Sequence, residues 1–125
     1  MTAVSEARAH LHKAREFLDA AELNLDNDLF NAATSSAVTS GINAKDAICL
    51  ALTGRSAKTE NHADAVAELH AAGTGTKPLA TTLGRLLRLK TKAQYQTIDV
   101  ARADAVRAVA WATTLVEGAT RIVAR

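Results

Sequence analysis

Residues 29–54 read LFNAATSSAVTSGINAKDAICLALTG. Ala32, Ala33, Ser35, Ser36, Ala37, Ser40, Gly41, Ala44 and Ala47 put small groups on every side of one helix over Leu29–Leu52. A helix with so few large or charged side chains can be touched on most of its faces, so its place is the centre of a helical bundle. Gly54 supplies the C-terminal stop. Gly41 costs about 1 kcal/mol of helix stability against alanine. Its expected use is close approach by another backbone, within the bundle or across a dimer, which makes Ala37 and Gly41 the candidate oligomer interface.

Helical periodicity continues on both sides. Upstream, Val4, Ala7, Leu11, Ala14, Leu18, Ala21 and Leu25 alternate spacings of three and four, the mark of one apolar face over about Thr2–Leu25. Asn27 or Asp28 is the expected N-cap of the central helix. Downstream, Arg55–Asn61 is a polar loop. A third helix is expected over His62 to about Ala72, then a break at Gly73–Thr76. Pro78 suits the first turn of a fourth helix running to about Tyr95. Gln96–Asp99 reads as a turn. A last helix over about Ala101–Val123 carries Ala105, Val109, Ala112, Val116, Ala119 and Val123 on its apolar face, with Trp111 and Leu115 beside it. No strand pattern occurs. Short connections between long helices predict an all-α, up-and-down four-helix bundle with an additional short helix, forming one domain over residues 1–125.

Composition agrees. Alanine fills 28 of the 125 positions, and only four side chains are aromatic, so the helices must pack closely around a thin core. The single cysteine, Cys49, excludes an intrachain disulfide and suits a reducing, cytoplasmic setting. The N-terminus lacks the apolar stretch of a secretion signal, and the longest uncharged run, 29–44, is too polar to span a bilayer. No membrane association is expected.

Charge is unevenly placed. Residues 1–68 hold 6 basic and 10 acidic side chains, whereas residues 69–125 hold 9 basic and 3 acidic. From Leu69 to Ile98 there is no Asp or Glu. Within that window Arg85, Arg88, Lys90 and Lys92 flank Leu83, Leu86, Leu87 and Leu89. The leucines need burial, so the cations project outward. Two readings follow: a solvated face paired with the acidic first helix, or a patch for phosphates of RNA or a nucleotide, or for an acidic partner. Tyr95 ends this basic segment, where a phenol can hydrogen-bond or stack on a base.

Other constellations are weaker. Six residues lie between Arg55 and His62, so an arginine could hold a scissile phosphate while a histidine moves the 2′-hydroxyl proton. Thr53–Thr59 lacks the glycines of a phosphate-binding loop and joins two helices. No two of the four histidines are three or four apart, so neither a metal nor another cofactor is expected. Cys49, in an apolar helical run, reads as an inert thiol.

These segments, in this order, resemble the HEPN domain, the all-α family named for higher eukaryotes and prokaryotes nucleotide-binding. The resemblance is carried by residues 14–23 (AREFLDAAEL), the small-residue helix ending in Leu50-Ala-Leu-Thr-Gly54, Lys58-Thr-Glu-Asn-His62, Leu86 to Tyr95, and residues 104–112 (DAVRAVAWA). It implies a helical bundle, commonly dimeric, that acts as a metal-independent ribonuclease, often a toxin, or as a binder of nucleotide or RNA. An antitoxin or a small nucleotidyltransferase is the implied protein partner. Family ribonucleases carry Arg-x(4–6)-His near the last helix. This chain has Arg88-Leu-Lys-Thr-Lys-Ala-Gln-Tyr95 there, without histidine, and its Arg55–His62 pair follows the central helix instead. The resemblance therefore implies a non-catalytic binding protein, with Arg88, Lys92 and Tyr95 as contacts. The alternatives are a ribonuclease using Arg55 and His62, and a structural homo-oligomerisation module.

Overall fold

The computed structural model describes residues 2–57 and 61–125. Among the described residues six α-helices follow one another: α1 (Ala3–Asp26), α2 (Phe30–Thr53), α3 (His62–Ala71), α4 (Lys77–Leu87), α5 (Lys90–Gln94) and α6 (Arg102–Val123). A 3-10 turn, Thr74–Thr76, leads into α4. The expected all-α bundle is present, with α1, α2, α4 and α6 as its long members.

Local chemistry sets the ends. Thr2 caps α1 by accepting the Ser5 N–H at 3.1 Å. The residue entering α2 is Leu29, which makes no side-chain cap, so neither Asn27 nor Asp28 caps that helix. Asp28 instead takes a left-handed conformation, φ 60°, that reverses the chain in three residues and forces α1 and α2 antiparallel. Gly54 closes α2 at φ 78°, the left-handed C-terminal position that favours glycine.

Helix α2 is central. It packs on α1, α6, α5, α4 and α3. Its small residues Ala33, Ala37, Ala44 and Ala47 are fully buried. Helix α4 inserts leucines into notches on two neighbours. A Cβ at Gly41 of α2 would lie 2.6 Å from Leu86 Cδ2 and 3.2 Å from Leu115 Cδ1. A Cβ at Gly118 of α6 would lie 2.8 Å from Leu79 Cδ1. The close approach expected at Gly41 is thus made inside the chain, by leucine side chains. Burying each such leucine contributes about 1.5–3 kcal/mol.

The apolar faces hold with a few changes. Val4 is 57% exposed in the first turn of α1. Leu115 is fully buried rather than flanking, and Trp111 packs partly buried against the core. The expected single helix from Pro78 to Tyr95 is broken. After Leu87 the chain tightens, with Leu89 N–H donating to the Leu86 carbonyl at 3.1 Å, and restarts as α5 at Lys90. Among the described residues no helix is long and apolar enough to cross a membrane.

Candidate functional site

The corner formed by α3, α4 and α5 gathers three cations, Arg85, Arg88 and Lys90, that no described carboxylate neutralises. Leu79, Leu83, Leu86 and Leu87 face the core, so helical geometry turns Arg85 and Arg88 to solvent. The break after Leu87 redirects the chain, bringing Lys90 beside His62 at the start of α3. Asn61 fixes that start by accepting the Asp64 N–H at 3.1 Å. His62 lies at the junction of two depressions. One, between α3 and α4, is lined by His62, Val66, His70 and Arg88 above Gly84. The other, a cavity of about 330 Å³, has Ile42, Ala65, Leu83 and Leu87 as hydrocarbon walls and His62 and Lys90 at its edge. Burial, and then the Lys90 charge, hold the His62 imidazole below its ordinary pKa, so it is neutral at neutral pH.

Behind this cavity lies a buried ionic network. Lys45 is 2% exposed. Its ammonium pairs with Glu68 of α3, contacts Asp46 Oδ1 at 3.2 Å, and donates to Ser56 Oγ at 3.0 Å and the Ala57 carbonyl at 3.2 Å. Ser56 donates to Asp46 at 2.6 Å, and Ala57 N–H donates to Glu68 Oε2 at 2.9 Å. His10 of α1 approaches Asp46 Oδ2 at 3.9 Å. Burial alone would lower the Lys45 pKa, but the Glu68 bond and the Asp46 charge together raise it above its ordinary value. Burial would raise the Glu68 carboxyl; the Lys45 bond, the Ala57 N–H and Ser56 outweigh it and hold it below the usual range. Cys49 nearby is buried, and burial pushes its thiol up to about 12, which makes it inert. The network ties α2, the chain after Gly54 and α3 into one piece, and so sets where His62 stands.

The residues expected from sequence are placed as follows. Arg85 and Arg88 are exposed and Lys90 is half-buried; among the described residues no carboxylate pairs with any of the three. Lys92 differs: its ammonium meets Asp104 of α6 at 3.4 Å. Tyr95, ending α5, is 72% exposed. Arg55 is exposed in another depression, with Glu6, His10 and Leu50, and lines no cavity shared with His62. Ala37 and Gly41 are buried within the protomer, their surfaces covered by its own helices. Lys58, Thr59 and Glu60, part of the segment carrying the HEPN resemblance, lie outside the described residues. The sequence reading missed Lys45, Asp46, Ser56 and Glu68. A signal existed: Lys45 and Asp46 are the only charged residues between Asp28 and Arg55, in a helix otherwise built for burial. Among the described residues no cluster of three or more His, Cys, Asp or Glu is arranged to hold a metal ion.

The model of the HEPN domain family matches residues 7–122. The chain belongs to the HEPN family. The matched span runs from the first buried residue of α1 to the last buried residue of α6, so it covers nearly the whole bundle. No curated protein matches this HEPN chain.

Proposed function

We propose that this HEPN domain binds single-stranded RNA through the α4–α5 corner. The observation that carries the reading is the position of Arg85, Arg88 and Lys90. They are paired to no carboxylate among the described residues; Arg85 and Arg88 lie in and at the end of α4, which packs on α3, α6 and α2, and Lys90 opens α5, which packs on α2, while acidic α1 packs on α2 and α6. Unpaired cations at this corner suit phosphates, and the exposed Tyr95 ring beyond them suits base stacking. Lys92, held by Asp104, contributes less.

Three phosphate contacts give a slope of log K against log salt of about −2.1 on single strands. Fluorescence anisotropy of a labelled RNA between low and moderate salt measures it. Replacing Arg85, Arg88 and Lys90 together by alanine should flatten the slope and abolish binding. A wild-type response independent of salt would sink this mechanism.

One observation favours a second reading, RNA cleavage. His62 is held neutral by burial and by Lys90, and Arg88 lines the same depression, which suits a general base beside a phosphate. In that reading Arg88 takes the phosphate-holding role that sequence spacing gives to Arg55. His62→Ala should then abolish cleavage while Arg55→Ala keeps it. Cleavage lost in Arg55→Ala and retained in His62→Ala would refute the assignment.

A further inference from the structure

The RNA-binding reading uses the cavity between α2, α3 and α4 only through Lys90 at its edge. Its volume, about 330 Å³, lies at the small end of the range for ligand sites, about 300–1,000 Å³. Its walls divide by chemistry. Ile42, Ala65, Leu83 and Leu87 present hydrocarbon, whereas His62 and Lys90 stand at the edge. Lys45 and Asp46 close the inner end, but the Lys45 ammonium is already bound by Asp46, Ser56, the Ala57 carbonyl and Glu68. An ammonium has three N–H groups, so none remains for an occupant.

The charges around this space select the occupant. Among the described residues, Lys45 and Asp46 line the inner end and balance each other, and Glu68 behind them, outside the lining, adds one negative charge. Lys90 carries one positive charge at the edge, and no described carboxylate pairs with it. A dianion would meet the surplus carboxylate charge, and a cation would meet Lys90. A wholly neutral hydrocarbon would leave the polar edge unused. One negative charge on an apolar body matches both ends.

We propose that this cavity binds a small monocarboxylate with an apolar body, its carboxylate on Lys90 and its hydrocarbon against Ile42, Ala65, Leu83 and Leu87. The neutral imidazole of His62 can donate one N–H to the same carboxylate. The proposal stands apart from RNA binding, with one shared group. A carboxylate on Lys90 withdraws one of three phosphate contacts, so saturating ligand should reduce the RNA salt slope by about 0.7.

Methyl NMR titration of the full chain tests it, with benzoate and cyclohexanecarboxylate as probes and benzamide and benzylamine as controls. Both acids should bind saturably, with shifts concentrated at the methyls of Ala65, Leu83 and Leu87. Benzamide should bind about tenfold more weakly, the worth of one charge-assisted contact. Benzylamine should not bind. Lys90→Met should erase the preference for acid over amide, and Ala65→Leu, which fills the cavity, should abolish binding. Should Ala65→Leu fail to fold, Ile42→Phe fills the same space from a half-buried position. Shifts scattered over the surface, equal affinity for acid and amide, or unchanged binding in a folded cavity-filling variant would each overturn the proposal. Loss of RNA binding in Arg85→Ala/Arg88→Ala leaves it intact, so the two readings fail separately.

Discussion

Replacing Lys45 by methionine keeps much of the side chain's volume and removes its charge. In the native fold the ammonium holds Asp46 and Glu68, whose side chains are only 9% and 29% exposed. Without it two carboxylates stand close together in a largely dry site with one neutralising partner gone. Breaking a buried pair from one side costs about 3–5 kcal/mol. For a chain of 125 residues the unfolding entropy is about 0.26 kcal/mol/K, so the melting temperature should fall by about 11–19 °C. Thermal and urea unfolding followed by circular dichroism measure both quantities. The pH dependence adds a second signature. The folded pKa of Glu68 is depressed, so its stabilisation is complete above the ordinary carboxylate pKa and is lost as pH falls through the depressed one. The folded pKa of Lys45 is raised, so its stabilisation is complete below the ordinary lysine pKa and is lost as pH rises through the raised one. Wild type should therefore show a plateau across neutral pH with losses at both ends. The gap to Lys45→Met should be widest on that plateau. It should narrow in acid, where the abandoned carboxyls take up protons. A neutral-pH loss below about 1 kcal/mol, the scale of an exposed ion pair, would refute the reasoning.

Further outcomes follow from individual contacts. Thr34 is fully buried and its hydroxyl has no partner among the described residues, so Thr34→Val should stabilise by about 1 kcal/mol and raise the melting temperature by about 4 °C. Gly41→Leu should lower the stability of the protomer itself by about 3 kcal/mol or more, because Leu86 and Leu115 occupy the space; a variant that only dissociates an oligomer at unchanged stability would contradict this packing. Lys92→Ala removes a half-exposed bridge to Asp104 and should change stability by about 0–1 kcal/mol while leaving the RNA salt slope nearly unchanged. Cys49 should resist thiol reagents in the native protein and react only on unfolding, and rapid native labelling would show that its burial has been misread.

The fold was legible because its determinants are local. Apolar spacing three and four apart marks α1 and α6, and Gly54 marks the end of α2 without reference to the rest of the chain. Exposed Arg85 and Arg88 followed from the leucines between them, since one helix cannot bury both sets. The break after Leu87 was not legible. Nothing in Arg88-Leu-Lys forbids a continuous helix, and tertiary packing of α5 on α2 overrides local propensity. The partner of Lys92 was hidden for the same reason, because Asp104 comes close only through folding. Gly118 carries no local mark of its role, because Leu79 comes against it only through folding. Arg55 and His62 illustrate the converse: a suggestive spacing along the chain that the helices turn toward different depressions. Lys45 and Asp46 were visible as isolated charges in an apolar helix, but Glu68 as their counterpart requires α3 to lie against α2.

The separation of α4 from α5 also has a kinetic meaning. Helix α4 is anchored by leucines in two glycine notches, so its amides should exchange with solvent only when the bundle opens globally. Helix α5 buries no residue and is held by polar contacts, Gln94 to Ser35 at 2.9 Å and Lys92 to Asp104 at 3.4 Å. Its amides should exchange through local opening, orders of magnitude sooner. The corner therefore pairs two slow-exchanging cations, Arg85 and Arg88, with a fast-exchanging one, Lys90. The same lysine can be repositioned without disturbing a single core leucine, so the surface can adapt to what it meets at little risk to the fold.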